Sequence, residues 1–169
     1  MFTGAGAGSV VDISTTTHKE HPMTVLDSLV STRARNESVW RESALALYAG
    51  DIAGFLDRWV EVPRYSVAYP VDGVPATVEG REAFLAMFGG FAAAARTIGV
   101  EDVRFHQTDD PEVAFVEERM VAELHDGTTY RNTLVLRVTF EDGRIREIFE
   151  YYGEVAHRDL VARLFGQHR

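Results

Sequence analysis

The 169-residue chain has no cysteine, which excludes disulfides and thiolate metal ligands. Lysine is almost absent too: Lys19 stands alone beside 16 arginines, and 26 acidic residues bring the net charge to −9. With no basic cluster, the footprint of a nucleic-acid binder is missing. No apolar run approaches the roughly 20 residues needed to cross a bilayer. The first residues lack a basic stretch followed by an apolar one, so no secretory signal is expected and a cytoplasmic location is. No His, Asp or Glu group has metal-ligand spacing, and no Ser-His-Asp set is visible, so no metal or other cofactor is expected. The arginine skew fits a GC-rich bacterial genome.

What is present is a chain with 46% hydrophobic residues, enough for one domain with a sizeable core. Residues 1–32 hold GAGAGS and a polar stretch without sustained period, which reads as a flexible N-terminal arm. The remaining 33–169 read as a single domain. A first helix begins near Arg33, carries Trp40, Ala44, Leu47 and Tyr48 at helical spacing, and stops at Gly50. Asp51 caps a second helix whose stripe is Ile52, Phe55, Leu56, Trp59 and Val60, ended by Pro63. A short strand follows with Tyr65, Val67 and Tyr69 on one face. A third helix spans about 80–96, with Phe84, Leu85, Phe88, Phe91 and Ala95 on one side.

Four strands then succeed one another at about 100–108, 113–124, 129–140 and 144–152. Short turns at Asp109-Asp110-Pro111, His125-Asp126-Gly127 and Glu141-Asp142-Gly143 join them, and such turns make an antiparallel meander. A helix over 154–165 closes the chain. The fold class expected is α+β, a curved antiparallel sheet wrapped around three N-terminal helices, with a C-terminal helix.

Period-two parity selects the candidate residues. On 129–140 the core face holds Tyr130, Asn132, Leu134, Leu136, Val138 and Phe140. The phenol and amide at one end suit orientation of a ligand oxygen, or else bond to each other. On 113–124, Glu118 is the sole charge among Ala114, Val116, Met120, Ala122 and Leu124, where burial raises a carboxyl pKa. On 144–152, Glu150 shares a face with Ile148, Tyr152 and, near the hairpin, Arg146. A bulge that shifts the phase turns Phe149 and Tyr151 inward instead and leaves Glu150 outside. Tyr65 and Tyr69 are expected as second walls of a pocket, and Tyr152, Trp59, Met87 and Phe88 join them as ligand contacts. His106, His125 and His157 read as solvated or structural.

Taken in order, Glu79-Gly80-Arg81-Glu82, Asp126-Gly127, Tyr130-x-Asn132, Asp142-Gly143-Arg144-Ile145 and Phe149-Glu150-Tyr151-Tyr152 resemble the SnoaL-like branch of the nuclear-transport-factor-2-like, ketosteroid-isomerase-like superfamily. The pattern over 37–165 is nearest to the phenazine-condensation proteins. The resemblance implies a cone with a deep pocket between sheet and helices, a homodimer through the outer sheet face, and a catalytic glutamate at 150. It also sets the family's habitual glutamate at 117, where parity favours Glu118. The chain departs from the pattern in three places. Met87 stands where those proteins have a histidine, the isomerase aspartate pair has no counterpart, and Gly153-Glu154 replaces an Asp-Pro.

Two function classes follow. One is a cofactor-independent enzyme acting on a hydrophobic polycyclic or polyketide-like small molecule by proton transfer, as an isomerase, cyclase or condensation catalyst in secondary-metabolite biosynthesis. Glu150 would be its acid/base, with Glu118 the second carboxylate. The other is a non-catalytic small-molecule binder with the same pocket. An epoxide hydrolase is a weaker third reading, since it needs an Asp/Arg/Asp cluster.

Overall fold

Thr24 opens the first helix with a reciprocal cap. Its Oγ1 accepts the Asp27 N–H at 3.2 Å, and Asp27 Oδ2 accepts the Thr24 N–H at 3.1 Å. Two orphan donors are thereby satisfied, and α1 runs Val25–Tyr48 instead of starting near Arg33. The structure, a computed structural model, describes residues 24–72 and 74–165. The part of the expected arm before Thr24 lies outside the described residues, while its last residues belong to α1. Asn36, Trp40 and Ser43 form the buried stripe of this helix, and Gly50, at φ +76°, ends it.

Helix α2 (Ile52–Leu56) is capped by Asp51, which accepts the Gly54 N–H at 2.9 Å. It does not extend to Val60 as its apolar spacing suggested. Trp59–Val67 forms strand β1 instead, parallel to the last strand of the sheet and antiparallel to β2 (Thr77–Glu79). Pro63 falls in the register shift between Trp59 and Arg64, where its missing N–H costs no ladder bond. Helix α3 (Arg81–Ala94) buries Phe84 completely, but Leu85, expected on the same face, is 54% exposed.

The chain continues as β3 (Ala95–Gln107), β4 (Val113–Leu124), β5 (Thr129–Glu141), β6 (Arg144–Tyr152) and α4 (Glu154–Phe165). The order across the six-stranded sheet is β2-β1-β6-β5-β4-β3. The meander is antiparallel as expected. At the β5–β6 turn both Asp142 (φ 50°) and Gly143 (φ 74°) are left-handed, the two-residue geometry that matches strand twist. Register shifts in β3–β4 and β5–β6 bend the sheet, and its concave face receives the N-terminal helices. There Trp59 and Phe84 pack edge to face at 4.9 Å, and both are fully buried. Losing either ring would cost about 3–5 kcal/mol. The fold is α+β, and among the described residues no helix is long and apolar enough to cross a membrane.

Alternation on the central strands follows the sequence parity. Ala114, Val116, Glu118, Ala122 and Leu124 of β4 are buried, as are Tyr130, Asn132, Leu134, Leu136, Val138 and Phe140 of β5. On β6 the irregularity lies at the hairpin end, between Thr139 and Phe140. Arg146 therefore turns outward, pairing with Glu141 at 3.5 Å, and does not share the face of Glu150. Beyond the bulge Ile148, Glu150 and Tyr152 point inward, whereas Phe149 and Tyr151 meet edge to face outside.

Candidate active site

Strands and helices converge on one small cavity of ≈ 60 Å³ between the concave sheet and the helices. Strand β4 contributes Glu118, β6 contributes Glu150, and β1 contributes Tyr65, whose Cα partner on β6 is Ile148. The end of α1 brings Tyr48, and Trp40, Phe55 and Phe88 add aromatic walls. A cavity this size holds on the order of two waters at about 30 Å³ each. It is far below the roughly 300–1,000 Å³ of a typical ligand pocket. The deep pocket expected for a polycyclic ligand is thus a compact chamber here, with Leu47, Phe88 and Met120 in its lining beside the two carboxylates.

Each carboxylate is held by one phenol. Tyr65 donates to Glu150 Oε2 at 2.9 Å, and Tyr48 donates to Glu118 Oε1 at 2.7 Å. Glu118 is 3% exposed, and its second oxygen, Oε2, has no hydrogen-bond partner. Glu150 is half-buried because it borders the cavity. Burial, opposed by the Tyr65 hydrogen bond and reinforced by the charge of Glu118, pushes its carboxyl up to about 7. Glu118 is also raised, mainly by burial, with the Tyr48 hydrogen bond opposing. Burial and the neighbouring carboxylates push both phenols well above their ordinary value. A carboxyl near neutrality is poised to take and return protons at physiological pH.

Of the residues singled out in the sequence, Glu150, Glu118, Tyr65 and Phe88 line the cavity. The others lie elsewhere. Asn132 donates to Tyr130 Oη at 2.8 Å and to the Gly153 carbonyl at 3.1 Å, and accepts the Gly153 N–H at 2.8 Å. The pair is satisfied internally and locks the junction of β6 and α4; burial pushes the Tyr130 phenol up to about 12. Gly153 has a local reason here, since a Cβ at that position would sit 2.6 Å from Asn132 Oδ1. Tyr152 donates to the backbone carbonyl of Tyr69 and packs on His157 with ring centroids 4.1 Å apart. The Tyr69 side chain is 50% exposed. Trp59 sits behind the chamber, its Nε1 donating to Ser43 at 3.2 Å, and Met87 packs on the core outside it.

Tyr48 is the site residue that sequence reasoning missed. It ends the apolar stripe of α1 and reads as core, although its helical register with Trp40 and Ala44 already aimed it at the sheet. His106 pairs with Glu117 on the outer face at 3.2 Å, so residue 117, the alternative to 118, points away from the cavity. Among the described residues no group of three or more His, Asp or Glu is placed to hold a metal. A surface groove of ≈ 260 Å³ between the β4–β5 hairpin and α4, bordered by Arg131, Asp159 and Arg163, contains neither carboxylate.

Comparison with known proteins agrees with this geometry at the level of fold. A family model described as a SnoaL-like domain matches residues 40–148. A proposed isomerase from Bacillus subtilis superposes with a TM-score of 0.70 at 17% identity, covering 80% of this chain and 95% of that one. A phenazine biosynthesis-related protein from Pseudomonas aeruginosa gives 0.63 at 17%, covering 81% and 84%. A proposed polyketide cyclase from Xanthomonas campestris gives 0.65 at 18%, covering 79% and 98%. No curated protein matches the sequence.

Proposed function

The chain belongs to the SnoaL-like domain family, and from that premise we propose that it is a cofactor-independent small-molecule enzyme of the isomerase or cyclase type, with Glu150 as its acid/base. The observation that carries this reading is Glu150 itself. It is a cavity-facing carboxyl pushed up to about 7, oriented by Tyr65 at 2.9 Å and sharing its chamber with a second carboxyl. Ionised, it takes a proton from a carbon beside a carbonyl; protonated, it returns that proton at another position, which is the bond reorganisation of an isomerisation or the first step of a ring closure. Secondary metabolism is the setting we favour, because a cyclase and a phenazine-biosynthesis protein share the fold. Fold alone names no substrate.

Assembly into a homodimer through the outer sheet face belongs to the same proposal. Phe115 and Tyr151, each 37% exposed, and the edge-to-face Phe149–Tyr151 pair lie on that face. The binding-protein reading shares the cavity but needs no titrating carboxyl. Epoxide opening stays the weaker reading, since it needs an Asp/Arg/Asp cluster and no arginine lines the chamber among the described residues. The test is hydrogen exchange. The protein in D2O, with a panel of small cyclic ketones and enones, should incorporate deuterium beside the carbonyl faster than buffer, as read by NMR. Binding without exchange for every ligand that binds would favour the binding protein.

A further inference from the structure

The hydrogen-bonding chemistry of the chamber is one-sided. Tyr48 and Tyr65 already spend their phenolic hydrogens on Glu118 and Glu150. Ser43 donates to the Phe55 carbonyl at 3.4 Å and accepts from Trp59. With the carboxylates ionised, the polar groups of the lining are acceptors: the Glu118 and Glu150 carboxylates and the phenol lone pairs, with Glu118 Oε2 buried in the wall and unpartnered. No arginine, lysine or histidine lines the cavity among the described residues, so neither carboxylate has a counter-charge there. The remaining walls are apolar and include the aromatic residues Trp40, Phe55 and Phe88, a residue type that favours a cation.

We propose that the ligand of this chamber enters with a compact, protonated amine head, and that Glu118 is its anchor. The buried, unpartnered Oε2 accepts an ammonium N–H, Tyr48 holds the other oxygen in place, and Glu150 is left to move the proton. A cation between the two carboxylates removes the repulsion that opposes ionising both. A buried carboxylate oxygen without a donor is costly, and the ammonium supplies that donor. An anion meets two carboxylates and no cation, and a neutral alcohol brings one donor without charge. The chamber's ≈ 60 Å³ suits such a head group and a few carbons. The titratable groups facing it are Tyr48 from α1, Tyr65 from β1, Glu118 from β4 and Glu150 from β6, with Tyr130 and Tyr152 farther along the same sheet face.

The inference rests on the proposed function only in seating the ligand in this cavity, and its test is an equilibrium measurement that needs no turnover. Isobutylammonium, isobutanol and isobutyrate share one carbon frame at three charges. Titrated into the wild-type protein near pH 8, isobutylammonium should bind at least about tenfold tighter than isobutanol, the scale of one charge-assisted hydrogen bond. Isobutyrate should not bind. Affinity for the amine should fall at pH 6, and calorimetry in buffers of different ionisation heat should show proton release on binding. Glu118→Gln should lose the preference for the amine while still binding isobutanol.

A second readout keeps the test independent of that variant's folding. In wild-type protein labelled at the glutamate carboxyl carbons, isobutylammonium should lower the titration midpoints of Glu118 and Glu150, while sodium chloride at equal ionic strength should not. Equal affinity for the alcohol, tighter binding of isobutyrate, or equal midpoint shifts with sodium would overturn the proposal. Those results would leave deuterium exchange by Glu150 intact. A protein that prefers the amine yet catalyses no exchange would instead support this inference and favour the binding-protein reading over the enzymatic one.

Discussion

Tyr65 donates its phenolic hydrogen to Glu150 Oε2 at 2.9 Å, bridging the neighbouring parallel strands β1 and β6. The bond opposes the effect of burial on Glu150. Tyr65→Phe should therefore raise the Glu150 pKa further. If ionised Glu150 is the base, kcat/KM rises with pH around a midpoint near 7 in the wild type, and the variant should move that limb upward. A pH–rate profile in both proteins measures it, and a downward shift would contradict the role assigned to Tyr65.

Stability carries the same signature. Glu150 stands at about 7 folded against an ordinary 4.5, so between those values the folded state binds more protons than the unfolded one. Its contribution is complete below the lower value and is lost as pH rises through the upper one. Glu118 shifts in the same direction. The Tm of Glu150→Gln relative to wild type should thus grow by a few degrees from about pH 5 to about pH 8. Calorimetric scans showing a constant difference would argue that Glu150 titrates like a surface carboxylate.

Asn132 was a candidate for holding a ligand oxygen, but it bonds Tyr130 and both backbone polar groups of Gly153. Asn132→Ala strands these partners at the β6–α4 junction and should cost roughly 2–4 kcal/mol. Thermal or denaturant unfolding measures the loss. Reduced ligand affinity at unchanged stability would return Asn132 to the site.

Much of the site strand system was legible. Asp142-Gly143 announced the β5–β6 turn, and parity placed Glu118 inward because β4 and β5 alternate without interruption. The phase of β6 was open in the sequence, since the bulge that turns Arg146 outward depends on pairing with β5 and leaves no local signal. Strand β1 was hidden for a related reason. Ile52, Phe55, Leu56, Trp59 and Val60 fit a helical period, and only the free edge of β6 draws Trp59 and Val60 into the sheet. The Thr24–Asp27 cap was readable as Thr-x-x-Asp but sat inside a stretch whose composition resembled a flexible arm. The pairing of Tyr48 with Glu118 joins residues 70 positions apart, beyond what spacing conveys.

The outer face gives a prediction about assembly. Light scattering at tens of micromolar should report about twice the 18.9 kDa chain mass, and Phe115→Glu should shift the protein to monomer without lowering secondary structure. A wild-type monomer at that concentration would count against the dimer.

The most direct measurement is the rate of Glu150→Gln with any carbonyl compound that wild-type protein labels with deuterium. The substitution keeps the shape of the side chain and removes the titrating group. Turnover should fall by roughly 10²–10⁴-fold, the usual contribution of a positioned acid or base, while folding and ligand binding persist. Wild-type turnover in Glu150→Gln would contradict the account and pass the acid/base role to Glu118.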